Sequence, residues 1–234
     1  MALTRVTKTG NITVDGNVGI ETGTVTPRDV GASTLQIGGN GTRSAIKMHT
    51  SSSGTGSTDG LFLGYDSGPN FYILNSEANG VITIGTNNSP GRLVIDASGR
   101  VSTPSQPSFF AYLHATDFTG VGIVPFNNTV YNIGNHFNAS NGRFTVPVTG
   151  VYMFQVIMTS GTTQTAQHQF LAVNGNRYRD MFEGDNFAVN SERHASVNLQ
   201  LTANDVVDFR NGVTMTVQGG VFQHNSAFIG HLLG

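Results

Sequence analysis

Cysteine and tryptophan are absent from this 234-residue chain, and only 11% of its residues are charged. Without cysteine there is neither a disulfide framework nor a thiolate zinc site, so durability must come from packing or oligomerisation. The charge content is well below the roughly 25% of an average soluble domain. With a net charge of -2, the chain offers no basic field for nucleic acid and no general attraction to an anionic membrane. No window approaches the ~18 consecutive apolar residues of a membrane span, and Met1 to Lys8 is followed by polar sequence rather than a secretory apolar run. Neither nucleic-acid binding nor membrane insertion is expected, and the chain reads as a soluble product made in the cytoplasm. Helical periodicity is missing too. The 30 glycines never settle into a Gly-x-y collagen repeat.

What is there is β-like, in two halves. Residues 1–107 carry short apolar runs punctuated by Gly, Asn, Asp and Ser: Asn11 to Val18, Leu35 to Ile37, Leu61 to Tyr65, Phe71 to Leu74, Val81 to Ile84 and Leu93 to Ile95. The stretch from Ile12 to Val18 and that from Leu93 to Val101 share a β-branched run, an Asp, a turn, a Gly and a Val, a loose recurrence consistent with stacked hairpins. Residues 50–59 are low in complexity and read as a flexible segment. So few large apolar residues make a marginal core for a small domain; three intertwined copies would supply the missing burial, and a monomeric β-domain with long loops is the plainer alternative.

From Ser108 the pattern tightens into runs at the spacing of an all-β sandwich: Phe109 to Leu113, Gly142 to Val146, Val151 to Met158, His168 to Val173, Ser196 to Leu201, Val206 to Phe209, Val213 to Val217 and Ser226 to Leu233. Asn174-Gly175 suits the two positive-φ positions of a type I′ hairpin turn. In the run from Val151 to Met158, Tyr152, Phe154, Val156 and Met158 can face a core, yet Val151, Met153 and Ile157 on the opposite face are apolar as well. A strand with one wet face should alternate. A neighbouring subunit is the economical cover, which makes Val151, Met153 and Ile157 candidates for a trimer interface.

Catalytic and metal chemistry find little support. The His residues, at 49, 114, 136, 168, 194, 224 and 231, are scattered. Asp180, Glu183 and Asp185 form the best acidic cluster, where an oxygen-rich loop could host calcium, but Arg177, Arg179 and Arg193 are on hand to pair the acids. No other metal and no cofactor is expected. There is no Walker loop, nucleophile elbow or Rossmann fingerprint, and the chain is not expected to be an enzyme. Binding to a receptor needs aromatic and hydrogen-bonding groups on loops. The segments from Thr116 to Gly122, Ser160 to Gln167 and Arg179 to Asn190 read as such loops, and Phe118, Tyr178, Phe182 and Phe187 are the candidate receptor-binding residues, with plain packing as the alternative for each.

The second half carries Phe110-Ala111, Pro125-Phe126-Asn127, Tyr131-Asn132-Ile133-Gly134, then Gly142-x-Phe144-x-x-Pro147-x-x-Gly150-x-Tyr152-x-Phe154, Val173-Asn174-Gly175, Ser196-x-x-Leu199-x-Leu201, Asp205-x-Val207 and a closing Phe228-Ile229-Gly230-His231-Leu232-Leu233. In this order, the series resembles the globular head of complement first component, subcomponent q, and its tumour-necrosis-factor relatives. The resemblance implies an all-β fold in which residues 108–234 form a ten-stranded jelly-roll sandwich that assembles as a homotrimer, behind a β-rich, loop-rich shaft or attachment region at 1–107.

The first half is similar, less specifically, to the shafts of phage tail fibres and spikes, through Leu35 to Gly39, Gly60 to Gly64, Asn79 to Gly85 and the Leu-x-Ile-Asp-x-x-Gly-x-Val element from Leu93 to Val101. The lack of a collagen-like stalk points the same way. Together the resemblances imply a bacteriophage virion fibre, a tail fibre attaching the particle to the host surface; a capsid head fibre or decoration protein and a polysaccharide-degrading tail spike are the alternatives. The expected partners are two further copies, a virion tail or capsid protein bound through the N-terminal region, and a glycan or protein on the host surface.

Overall fold

The computed structural model describes residues 18–20, 35–37, 44–50, 52–54, 59–65, 70–184, 187–220 and 225–234. The expected run over Asn11 to Asn17, half of the 50–59 segment, Asp185 and His224 lie outside them. The chain divides into two compact units, Met1–Ser102 and Thr103–Gly234.

In the first unit β1 (Val18–Ile20) pairs parallel with β2 (Leu35–Ile37). A three-stranded meander follows in β3 (Ser44–Met48), β4 (Leu61–Tyr65) and β5 (Phe71–Asn75), then another in β6 (Ile82–Thr86), β7 (Ser89–Ile95) and β8 (Val101–Ser102). Asp96 explains the β7–β8 turn. Its Oδ1 accepts the backbone N–H of Ser98 at 2.9 Å and of Arg100 at 3.0 Å, satisfying donors that a tight turn strips from the ladder. The backbone N–H of Arg100, followed by its guanidinium, holds the Asp96 carboxyl below its ordinary range. Among the described residues every fully buried apolar side chain lies between Phe109 and Phe228, in the second unit.

The second unit is a two-sheet sandwich. Its strands are β9 (Ser108–Tyr112), β10 (Phe118–Ile123), β11 (Asn128–Ile133), β12 (Phe137–Asn138), β13 (Arg143–Thr145), β14 (Gly150–Thr159), β15 (Gln167–Val173), β16 (Asn176–Gly184), β17 (Glu192–Leu201), β18 (Val206–Val217) and β19 (Ala227–Leu232). A five-stranded sheet runs β11-β9-β19-β14-β17, and a six-stranded sheet runs β12-β13-β18-β15-β16 with β10 also paired to β18. The order is jelly-roll-like, because strands distant in sequence lie side by side. Asn174 and Gly175 both have positive φ, 52° and 83°, as a type I′ turn between β15 and β16 requires.

The core lies between the sheets and is aromatic. Phe109, Tyr152, Phe154 and Phe228 from one sheet meet Phe137, Phe144 and Phe209 from the other, with Phe126 from the loop before β11. Such rings each bury on the order of 150–250 Å². Gly230 makes room for them: a Cβ there would stand 2.5 Å from the Phe109 ring and 2.9 Å from the Phe154 ring. Gly230→Ala should therefore cost about 1–3 kcal/mol through overpacking. Urea unfolding checks this, and an unchanged midpoint would mean that the rings can yield.

Three expectations are corrected here. Val206 to Phe209 and Val213 to Val217 form one continuous strand, β18, rather than two. Asn211, between the two expected runs, is buried; it accepts a hydrogen bond from Gln169 at 2.7 Å and donates to the Gly120 carbonyl at 3.0 Å, so its polarity is consumed inside the sheet. Phe118 to Gly122 and Arg179 to Gly184, read as loops, lie in β10 and β16, where pairing to β18 and β15 overrides their Gly and charge content.

Candidate functional site

Two surfaces of the sandwich differ in chemistry. The outward face of the five-stranded sheet is apolar across most of its width. Along β14 the odd-numbered Val151, Met153 and Ile157, with Gln155, are half-buried and turned away from the core, while Tyr152, Phe154, Val156 and Met158 are buried within it. Register places Gln155 opposite Ile229 of β19, and Ile229 opposite Phe110 of β9. Phe110 in turn lies 6.3 Å from the ring of Tyr131 on β11. The apolar character stops at β17, whose outward residues Glu192, His194, Ser196, Asn198 and Gln200 are exposed and polar. Sequence reasoning found the β14 residues but missed Phe110, Tyr131 and Ile229, whose strands are too short for period-two reading to orient.

The second surface is the outward face of the six-stranded sheet. The four candidate aromatics separate there. Tyr178 is 56% exposed on β16, between Arg177 and Arg179. Phe118 is partly buried against the core. Phe182 is buried, edge-on to Phe209 at 6.3 Å, and Phe187 is buried under the Arg193 guanidinium, 4.4 Å from its ring centre. The structure thus corrects the expectation of exposed rings at 182 and 187: register shifts in β16 break the alternation from Tyr178 and leave Phe182 inward, opposite buried Gln169, and Arg193 caps Phe187. Tyr178 alone of the four offers most of its ring to a partner.

Asp180 is taken up locally. Its Oδ1 accepts from Arg177 Nε at 2.7 Å and meets His168 Nε2 at 3.2 Å, and its Oδ2 accepts from Arg177 Nη2 at 2.6 Å. The guanidinium, with a smaller contribution from His168, holds this carboxyl below the ordinary carboxylate range. The acidic stretch is mostly strand rather than an oxygen-rich loop. Among the described residues no three His, Cys, Asp or Glu side chains stand where they could hold a metal ion. Nor is any helix there long and apolar enough to cross a membrane.

With this geometry in place, the family model of the C1q domain matches residues 108–233, just over half of the chain. The chain belongs to the C1q domain family. Homotrimeric assembly is characteristic of that family. The curated relatives matched include mouse and human complement C1q tumor necrosis factor-related protein 3, each 36% identical over 132 residues, 55% of this chain and 51% of the relative. The chain therefore spans about half the length of the curated relatives it matches. Similar solved structures include the globular domain of zebrafish complement 1qA protein (18% identity, TM-score 0.43, covering 55% of this chain and 98% of that one) and murine APRIL (14%, 0.42, 54% and 99%).

These vertebrate relatives overturn the reading of the chain as a bacteriophage tail fibre with a place on the virion, together with its capsid-fibre and tail-spike alternatives. The motifs behind that reading are local. Leu93 to Val101 makes a β7–β8 hairpin around an Asp96-capped turn, and β6 with the start of β7 closes on Asn87 and Asn88 at positive φ. Any sheet with tight turns selects such residues, so they carry no information about a particle.

Proposed function

We propose that this C1q-family chain is a non-enzymatic recognition protein whose C-terminal domain, residues 108–234, assembles with two further copies into a compact head presenting three equal sets of outward-facing binding groups. The apolar outer face of the five-stranded sheet supports this most directly. A strip running from Tyr131 through Phe110 and Ile229 to Met153 would not stay wet in a soluble protein, because contiguous apolar surface of this kind marks an interaction site. The polar β17 edge bounds it as a rim bounds an interface core. Two more copies of the same sheet are the occupant that closes the face symmetrically. We extend the reading to residues 1–107, whose exposed Phe71, Ile73 and Leu74 would gain burial from three copies side by side.

Three equivalent sites convert weak single contacts into avidity, with gains of about 10²–10⁴ where geometry permits. Exposed Tyr178, flanked by Arg177 and Arg179, is the residue of the six-stranded sheet best placed to contact a protein or glycan ligand. Sedimentation equilibrium of the full chain at micromolar concentration tests the assembly. The expected mass is three times the 24.8 kDa of one chain; a stable monomer would overturn the reading.

A further inference from the structure

On the outward face of the six-stranded sheet, opposite the apolar face, lies a cavity of about 480 Å³. It is bounded by Asn138, Asn141, Arg143, Asn174, Asp208 and Arg210. Backbone register brings the charged groups together, because Arg143 of β13 sits opposite Asp208 of β18, and Arg210 is two residues further along the same face. Asp208 is almost wholly buried, 1% exposed. Its Oδ1 accepts from Arg210 Nε at 2.5 Å, and its Oδ2 accepts from Arg210 Nη2 at 3.0 Å and Arg143 Nε at 3.4 Å. That carboxylate fixes two guanidiniums in place and satisfies only part of them. Among the groups lining the cavity two positive charges stand against one negative, with the Asp205 carboxylate just beyond the rim, accepting from Asn174 Nδ2 at 2.7 Å.

Most of the remaining side-chain hydrogen-bonding groups are donors, with the Thr145 hydroxyl able to serve as either. Among the described residues, the Nη groups of Arg143, Nη1 of Arg210 and the Nδ2 amides of Asn138 and Asn141 have no protein acceptor. The acceptors at the rim are engaged: Asn138 Oδ1 takes the N–H and the hydroxyl of Ser140, Asn141 Oδ1 takes the N–H of Arg143, and Asn174 Oδ1 takes the N–H of Val206. A pocket whose side chains offer mainly spare donors around two guanidiniums is complementary to an oxyanion, above all to one that a guanidinium can grip bidentately. The volume exceeds that of a bare ion and falls in the range of small-ligand sites. The lining has amides rather than aromatic rings, which suits a hydroxyl-rich body.

We propose that this pocket binds an acidic carbohydrate, held by a single carboxylate or sulfate ester against Arg143 and Arg210, with Asn138 and Asn141 donating to the sugar. The inference deepens the reading of the domain as a recognition module by giving it a ligand class, and it places one complete site in each chain.

Calorimetric or NMR titration of the full chain tests it with four probes: glucuronic acid, N-acetylglucosamine 6-sulfate, glucose and inorganic sulfate. The first is expected to bind if the carboxylate is the recognised group and the second if the sulfate ester is. Glucose should not bind, and inorganic sulfate should bind more weakly than the acid sugar. Arg143→Gln should weaken the acid sugar by about tenfold or more, the usual cost of losing a hydrogen bond to a charged group. Asn138→Asp keeps the oxygen that Ser140 needs while setting a negative charge at the rim, and should weaken it comparably. Asn138→Asp should keep the wild-type melting curve, since Asn138 is exposed, and Arg143→Gln should melt only slightly lower, since Arg210 keeps both its hydrogen bonds to Asp208. Neither acid sugar binding, glucose binding equally, inorganic sulfate binding as tightly as either acid sugar, or undiminished affinity in both folded variants would overturn the proposal. A trimer by sedimentation that binds no probe would sink this inference and leave the assembly reading standing.

Discussion

Phe228→Ala should lower the unfolding free energy of the C1q domain by about 3–5 kcal/mol. Phe228 is the hub of the aromatic core. Its ring lies 5.1 Å from Phe109, 5.7 Å from Phe154, 5.8 Å from Phe126 and 6.2 Å from Phe137, drawing on both sheets and the loop between them. Truncation leaves a cavity bounded by four rings that are themselves fixed by other contacts: Phe109 stacks on Phe137 at 4.7 Å and on Phe144 at 5.0 Å. A site whose walls cannot collapse pays the full cavity cost, which is why large-to-small costs spread so widely at fixed chemistry. Chemical denaturation of wild type and variant, followed by near-ultraviolet circular dichroism of the Phe and Tyr environments, gives the difference directly. A loss below about 1 kcal/mol would show that the neighbouring rings close over the gap.

That hub was legible in the sequence only as one residue of a closing motif. Strand existence in the second half was readable because β14 is long and rich in β-branched and aromatic residues. Tyr152, Phe154, Val156 and Met158 were assigned to the core side of β14 from period two alone, and they are buried there. Reading failed where pairing outweighed composition. Gly120 and Gly122 made β10 look like a loop, yet both have positive φ and accommodate a register shift against β18, the conformational role a bulge gives glycine. Arg210-Asn211-Gly212 looked like a turn for the same compositional reason, and its place inside β18 depends on Gln169, 42 residues away in sequence.

The candidate site was harder still. The four aromatic candidates came from composition in expected loops, and two of them are buried, Phe182 by the face of β16 it occupies and Phe187 by the Arg193 guanidinium over its ring. The oxyanion pocket left a trace that pattern reading could have used: Asp208 and Arg210 alternate with Val207 and Phe209, putting two opposite charges on the outward face of a strand whose other face is core. What no pattern supplies is Arg143, which meets Asp208 only through the β13–β18 register.

Met153→Asp should convert the trimeric chain into a folded monomer. Met153 sits midway along β14, between Asn198 of β17 and His231 of β19, with Val151 and Gln155 beside it on the same outward face. In a single chain this position is half-buried, so the isolated fold can keep a carboxylate there in contact with water. Closing two other copies over it would strand the charge in an apolar contact, at a cost of several kcal/mol per subunit. Three subunits would bear that cost at once, and assembly should fail even where each fold survives. Thr214→Asp is the control, because Thr214 is exposed on β18 of the opposite sheet; it should sediment as the wild type does. Sedimentation velocity together with a melting curve separates the outcomes. A monomer with a cooperative transition places the subunit contact on the β14 face. A trimer that persists in Met153→Asp would move that contact elsewhere and leave the strip of Phe110, Tyr131 and Ile229 to be covered by a different partner.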